Sequence, residues 1–390
     1  MVSDPGARPR SRLPATVVAL GLVSLLTDLS SEMIYPLLPL FLVQTLAASA
    51  VALGMIEGAA ETAASLLKVG SGWLSDRAGR RKPLVVAGYG VSGLARPLIG
   101  LAGAWPAVAL LRVTDRMGKG LRTSPRDALI ADVTPPERHG AAFGLQRAMD
   151  HAGAVAGPLV AVALLAIPGI DLRAVFLLAA LPALGVMAIL LFGVPEPPRA
   201  AVAMPPAPAL RWASLTPQLR RFLLAVGLFA LGNSADAFLL LRFSDAGFAA
   251  TGIALLWAGL HAVKMAATWL GGRMSDRLGR RSMVLAGWAV YAAVYLGFGL
   301  VPTTGGLIAL FLLYGLYYGL TEPAERAWVA EMAGPGMRGT AFGAYHGVIG
   351  LAALPASLLF GALYAGPGAT TAFITGAALA ALSALLLTRV

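Results

Sequence analysis

Apolar residues run through this chain in blocks of about 20, the length that carries a helix across a bilayer, and polar turns separate the blocks. Apolar and polar positions do not alternate at period two, and a membrane strand needs only about 10 residues, so strands are set aside. The pattern predicts twelve helices, at 14–43, 50–73, 83–103, 106–131, 139–166, 172–193, 219–241, 250–271, 283–301, 305–330, 339–364 and 369–388. Residues 194–217 gather Pro195, Pro197, Pro198, Pro205, Pro206 and Pro208 among alanines, too broken to span, and read as a linker. The expectation is an all-α membrane protein: a six-helix half at 1–193, a cytoplasmic linker at 194–217 and a second six-helix half at 218–390.

One polar turn occurs twice. Gly72-Trp73-Leu74-Ser75-Asp76-Arg77-Ala78-Gly79-Arg80-Arg81 returns 200 residues later as Gly272-Arg273-Met274-Ser275-Asp276-Arg277-Leu278-Gly279-Arg280-Arg281. A second stretch repeats at an offset of 199: Asp132 to Pro136 and Gly140 to Gly144 match Glu331 to Pro335 and Gly339 to Gly343. Two parallel, similar halves follow, related by an axis along the membrane normal, with transport expected at their interface.

Composition agrees: 58% of residues are hydrophobic and 13% charged, about half the charged share of a soluble protein. The net charge of +11 would suggest nucleic acid in a soluble chain, but its placement decides otherwise. Arg8, Arg10 and Arg12, the two repeated turns, Arg199, Arg211, Arg220, Arg221 and Arg389 all fall on one side, and only Arg173 and Arg242 on the other. This positive-inside pattern places both termini in the cytoplasm. The arginines, apolar run and Ala47-Ala48-Ser49-Ala50 near the start could suggest a signal peptide, but the run is too long and is interrupted by Asp28 and Glu32. Cysteine is absent, which excludes disulfides and thiolate chemistry.

On the doubled turn the sequence resembles the major facilitator superfamily over its whole length. Gly144, Gly153, Gly157 and Pro158 have the spacing of that family's antiporter motif, although Ala161 and Val162 stand where its last glycines would be. The resemblance implies that the turns latch the halves in one state and release them in another. Gating residues would be Gly72, Asp76, Arg77, Gly79, Arg80, Asp276, Arg277, Gly279, Arg280, Gly153, Gly157 and Pro158. Topology alone also explains the basic turns, and helix packing explains the glycines.

Ten bases fall within the predicted spans: Lys68, Arg96, Arg112, Arg116, Lys119, Arg122, Arg126, Arg147, Lys264 and Arg326. Ten acids join them: Asp28, Glu32, Glu57, Glu61, Asp115, Asp127, Asp150, Asp236, Glu322 and Glu325. In lipid each would cost roughly 2.5–3.5 kcal/mol, and all twenty on the order of 50 kcal/mol. Most must face a wet cavity, one another or a helix end. Fifteen of the twenty lie in the first half, which is therefore expected to carry proton coupling, with Trp257, Tyr314, Tyr317, Tyr318 and Tyr345 as an aromatic wall opposite.

Asp28 with Glu32, and Glu57 with Glu61, sit four apart on one helix face and are candidate proton carriers, as are Asp150 and His151 beside Arg147. A structural hydrogen-bond network is the alternative for each. Candidate substrate contacts are Arg116, Lys119, Arg147, Asp236, His261, Glu322, Arg326 and Tyr345, since guanidinium forks suit carboxylates and phosphates. Arg122 and Arg126, near the cytoplasmic end, read as partners of the acids. The histidines have no companions spaced as metal ligands, so neither metal nor cofactor is expected.

The reading is a monomeric secondary transporter of the inner membrane, not an enzyme. It would use alternating access, and proton-coupled export of a small organic molecule is preferred over import or exchange of an organic anion or metal chelate. Protons, a small molecule and membrane lipids are its partners; nucleic acid is not. An intramembrane lipid-modifying enzyme using Asp150 and His151 is the rival, which twofold architecture argues against. Ten acids and ten bases suit zwitterions, anions, cations or amphiphiles alike. No G-x-x-x-x-G-K-[ST] phosphate loop is present to supply ATP drive.

Overall fold

The computed structural model describes residues 13–38, 41–46, 50–195, 211–233, 236–248, 250–334 and 336–389. Residues 196–210 of the expected linker lie outside that set. The described residues form helices throughout: α1 (Ala15–Glu32), α2 (Ala50–Ala78), α3 (Lys82–Leu98), α4 (Trp105–Val133), α5 (His139–Leu165) and α6 (Leu172–Gly193) in the first half. In the second half come α7 (Pro217–Gly232, resuming at Ala237–Asp245), α8 (Ala250–Leu278), α9 (Arg280–Leu300), α10 (Thr304–Met332), α11 (Arg338–Ala365) and α12 (Ala369–Leu387).

Eight of these are long and apolar enough to cross a membrane by composition. Of the other four, α4 is dense in intramembrane charge and α7 is broken by a turn.

Four helices differ markedly from the hydropathy reading. The first helix ends at Glu32 rather than 43, and a π turn follows at Phe41–Thr45. Pro36 and Pro39, which cannot donate to a helix, account for the break. The seventh is interrupted after Gly232, where Asn233 caps the chain. Conversely, α2 and α8 run on through the first part of the basic turn to Ala78 and Leu278, so the two aspartates project from rigid helix ends rather than from loops.

Across the halves, α2 packs along α11 and α5 along α8. Glycine permits both approaches. A β-carbon on Gly72 would stand 2.1 Å from the Gly339 carbonyl oxygen, and one on Gly339 2.4 Å from that of Gly72. Gly140 and Gly272 repeat the arrangement, at 2.4 and 2.3 Å. Gly153 and Gly157 do another job: they seat α5 on α1 within the first half, where a β-carbon would meet Leu25 O at 2.3 Å and Glu32 Cβ at 2.7 Å.

Candidate functional site

The basic turns build two reciprocal locks between the halves. Asp76, at the end of α2, accepts hydrogen bonds from Gly339 N (3.0 Å), Thr340 N (2.6 Å) and Thr340 Oγ1 (2.7 Å), capping α11. Asp276, at the end of α8, accepts from Gly140 N and Ala141 N, both at 2.8 Å, capping α5. Each carboxylate thus satisfies orphan N–H groups of a helix in the opposite half and meets the positive end of its dipole.

One arginine backs each lock. Arg81 donates to Asp76, Ser75 and Asp132. Arg280 donates to Asp276 (2.6 Å), Ser275, Glu331 (2.9 Å) and, across the interface, Pro136 O. Burial works against the Arg81 charge, but the Asp76 and Asp132 carboxylates outweigh it and raise its pKa. Arg338 adds a further cross-half pair with Asp132 at 2.9 Å. The expected Arg77 and Arg80 are instead exposed. In the first turn α3 begins at Lys82, in the second α9 begins at Arg280, so the structural partner of Arg280 is Arg81. Gly79 (φ 60°) and Gly279 (φ 88°) take the left-handed conformation that these turns require.

Beyond the locks lies a cavity of about 200 Å³, lined by Ser24, Thr27 and Asp28 of α1, Lys68 of α2, Tyr89 of α3, Lys119, Arg122, Thr123 and Arg126 of α4, Arg147 and Asp150 of α5, Arg326 of α10 and His346 of α11. The lock end is closed. Lys68 pairs at 3.5 Å with Glu61, which lies further along α2 from the turn and is 54% exposed.

The cavity floor is an ion network shared between the halves. Asp127, fully buried on α4, is held by Arg126 at 2.8 Å and, from the second half, by His346 at 2.9 Å and Arg326 at 3.8 Å. Glu322 of α10 is met by His151 at 3.3 Å and Arg147 at 3.9 Å from the first half, and Arg147 also pairs with Asp150. At the 199-residue offset, Arg126-Asp127 corresponds to Glu325-Arg326: the order of charges is inverted between the copies.

Of the expected proton carriers, Asp28 and Asp150 line the cavity, His151 joins the floor, and Glu32 lies beside α5 without lining the cavity. The Glu57 side chain lies outside the described residues. Of the expected substrate contacts, Lys119, Arg147 and Arg326 line the cavity and Glu322 lies at its floor. Arg116 is off the lining, its Nε buried with no hydrogen-bond partner. Tyr345 turns away and donates to Glu325 at 2.6 Å; Trp288 holds the other oxygen of that carboxyl at 3.2 Å.

Asp236 belongs to a separate cluster. It accepts from Tyr314 (2.8 Å) and Tyr318 (3.1 Å) and pairs with Lys264 at 3.4 Å, whose ammonium sits 3.6 Å from the Tyr318 ring centroid. His261 lies between this cluster and the floor, its ring 5.4 Å from that of His151. Arg96 is structural: it ties α3 to Asp115 at 2.8 Å and to the Thr27 carbonyl at 2.9 Å.

Sequence reading missed Asp127, Arg81 and His346 as site residues, and placed Arg122 and Arg126 near a helix end rather than on the cavity. The signal lay in the inverted dipeptide, visible only once the offset of 199 is carried into α4 and α10.

Comparison with known proteins agrees with this architecture. The family model of the major facilitator superfamily matches residues 20–263 and 222–390. An uncharacterised MFS-type transporter of Methanocaldococcus jannaschii is 33% identical over 389 residues, covering 96% of this chain and 94% of that one. Multidrug resistance protein MdtH of Aeromonas hydrophila is 26% identical over 336 residues, covering 83% and 81%. Among solved structures, the human organic anion transporter TETRAN superposes with a TM-score of 0.82 at 19% identity, covering 97% of this chain and all of that one, a likeness of fold.

Proposed function

The chain belongs to the major facilitator superfamily, and on that premise we propose that it is a proton-coupled secondary transporter working by alternating access. The observation that carries this reading is the pair of reciprocal aspartate caps, which tie the two halves together at one end of the central cavity. Since the caps sit at the basic turns, the positive-inside rule puts the closed end on the cytoplasmic side. Opening inward requires Asp76 and Asp276 to release α11 and α5, and both locks to break together if the halves rock as units. Asp28, Asp150 and His151, around the cavity and its floor, are the proposed proton carriers.

Export of a small organic molecule is the first reading of direction. The glycine spacing of α5 and the name of MdtH, a multidrug resistance protein, support it. Proton-linked movement of an anion is the second, favoured by six cationic side chains against two carboxylates on the cavity wall.

The absence of cysteine makes the conformational test direct. Spin labels on introduced cysteines at the exposed positions Arg80 and Arg277 would report the basic-turn end, and labels at Ile167 and Thr303 the other. The two distances should change in opposite senses between populations in proteoliposomes. Both ends opening together would contradict alternating access. Proton coupling fails separately if neutralising Asp28, Asp150 and His151 one at a time leaves pH-driven flux unchanged.

A further inference from the structure

Pairing off the charges of the cavity wall leaves a remainder. Arg147 is matched by Asp150, Arg126 by Asp127, Arg326 by Glu322 at 3.9 Å and Lys68 by Glu61. Among the described residues, Lys119 and Arg122 have no carboxylate within ion-pair distance. On the acid side only Asp28 is likewise unmatched. Two cations against one carboxylate leave the wall with one uncompensated positive charge, and an uncompensated buried charge is costly without a counter-ion.

The two cations are arranged to receive one. Arg122 is 4% exposed, donates from Nη1 to Ser92 Oγ at 2.7 Å and stacks on the Tyr89 ring at 4.3 Å; its Nε has no hydrogen-bond partner. That holds the guanidinium plane fixed and keeps donor capacity in reserve, the geometry in which a fork grips a two-oxygen anion. Lys119 and Arg122 stand three residues apart along α4, both on the lining, so the wall presents a pair of neighbouring cations rather than a point charge.

Resting on the transporter reading and deepening its second form, we propose that the cavity takes an organic oxyanion, a carboxylate or phosphate, bound between Lys119 and Arg122. Asp28, the unmatched acid of the same wall, opposes the anion.

The full chain, purified in detergent, is titrated calorimetrically with benzoate, phenyl phosphate and benzylamine, three probes that share a ring and differ in charge. At least one of the two anions should bind saturably at one site, and the stronger identifies the headgroup. Lys119→Gln and Arg122→Gln should each weaken it at least about tenfold, the loss expected when one partner of a buried charge contact goes. Arg122→Lys should restore only part, because an ammonium lacks the fork. Asp28→Asn should tighten it severalfold, which a merely structural role would not do. Thermal midpoints near wild type certify that each variant folds. The proposal is overturned if neither anion binds, if only benzylamine binds, or if folded Lys119 and Arg122 variants bind the anion as wild type does. Anion binding without any protein-dependent flux in proteoliposomes removes the transport reading and leaves the site. Flux of benzylamine with no anion binding does the reverse.

Discussion

Asp76 grips Thr340 twice, through its backbone N–H at 2.6 Å and its hydroxyl at 2.7 Å, whereas Asp276 meets only backbone at the matching end of α5. The two locks are alike in form and unequal in strength. Asp76→Ala removes three hydrogen bonds across the halves and Asp276→Ala removes two. At about 1 kcal/mol per cap contact, Asp76→Ala should depopulate the state closed at the basic turns more, by roughly an extra fivefold. Distance distributions between spin labels across that end measure the ratio; equal effects would show that the hydroxyl contributes nothing.

Gly72→Ala and Gly272→Ala should act in the same sense by a different route. The new methyl falls 2.1 and 2.3 Å from a backbone carbonyl oxygen that cannot swing aside, so α2 and α11, or α8 and α5, must separate. The cost is on the order of 1–3 kcal/mol in the closed state alone. Label distances should lengthen at the basic-turn end, and a variant that keeps the wild-type distribution would refute the close approach.

Arginine scanning should give opposite registers in the two turns. Arg81→Gln should impair transport and Arg80→Gln should not; in the second half Arg280→Gln should impair and Arg281→Gln should not. Arg81 and Arg280 bridge two carboxylates each, while Arg80 is exposed and Arg281 reaches only the Thr388 carbonyl. Side-by-side uptake rates of the four variants decide it.

Arg96→Met should lower stability while leaving the cavity's charged side chains in place. Asp115 keeps Arg112 at 3.2 Å but loses its bond to Arg96, and the Thr27 carbonyl loses its donor. A loss of about 3 kcal/mol is expected for breaking a buried pair. The thermal midpoint should fall by several degrees, while anion binding by the protein still folded stays near wild type.

The frame was legible in the sequence because lipid leaves few choices. Apolar blocks of spanning length must be helices, and a turn repeated at half the chain length demands two copies. Asp76 and Asp276 were legible for the same reason, as the fixed points of that repeat. The helix break after Glu32 was hidden because hydropathy averages over Pro36 and Pro39 rather than reading their missing N–H groups. Among the intramembrane charges, spacing along one helix found Arg147 beside Asp150 but could not find His346 beside Asp127, 219 positions apart. Cross-half pairs depend on helix order and rotation, which no periodicity encodes. Arg122 shows the same limit: its position on α4 was evident, but that α3 brings it Tyr89 and Ser92 rather than an acid was not.

The inversion of Arg126-Asp127 into Glu325-Arg326 makes the halves complementary rather than interchangeable. A chain built from two copies of the first half would set Asp127 against a second Asp127, and one built from two copies of the second would set Arg326 against itself, where the native contact is 3.8 Å. Like charges that close in a poorly screened interior repel by several kcal/mol. Each half therefore recognises its opposite and rejects its own twin, so a pair of separately expressed halves should assemble in one combination only.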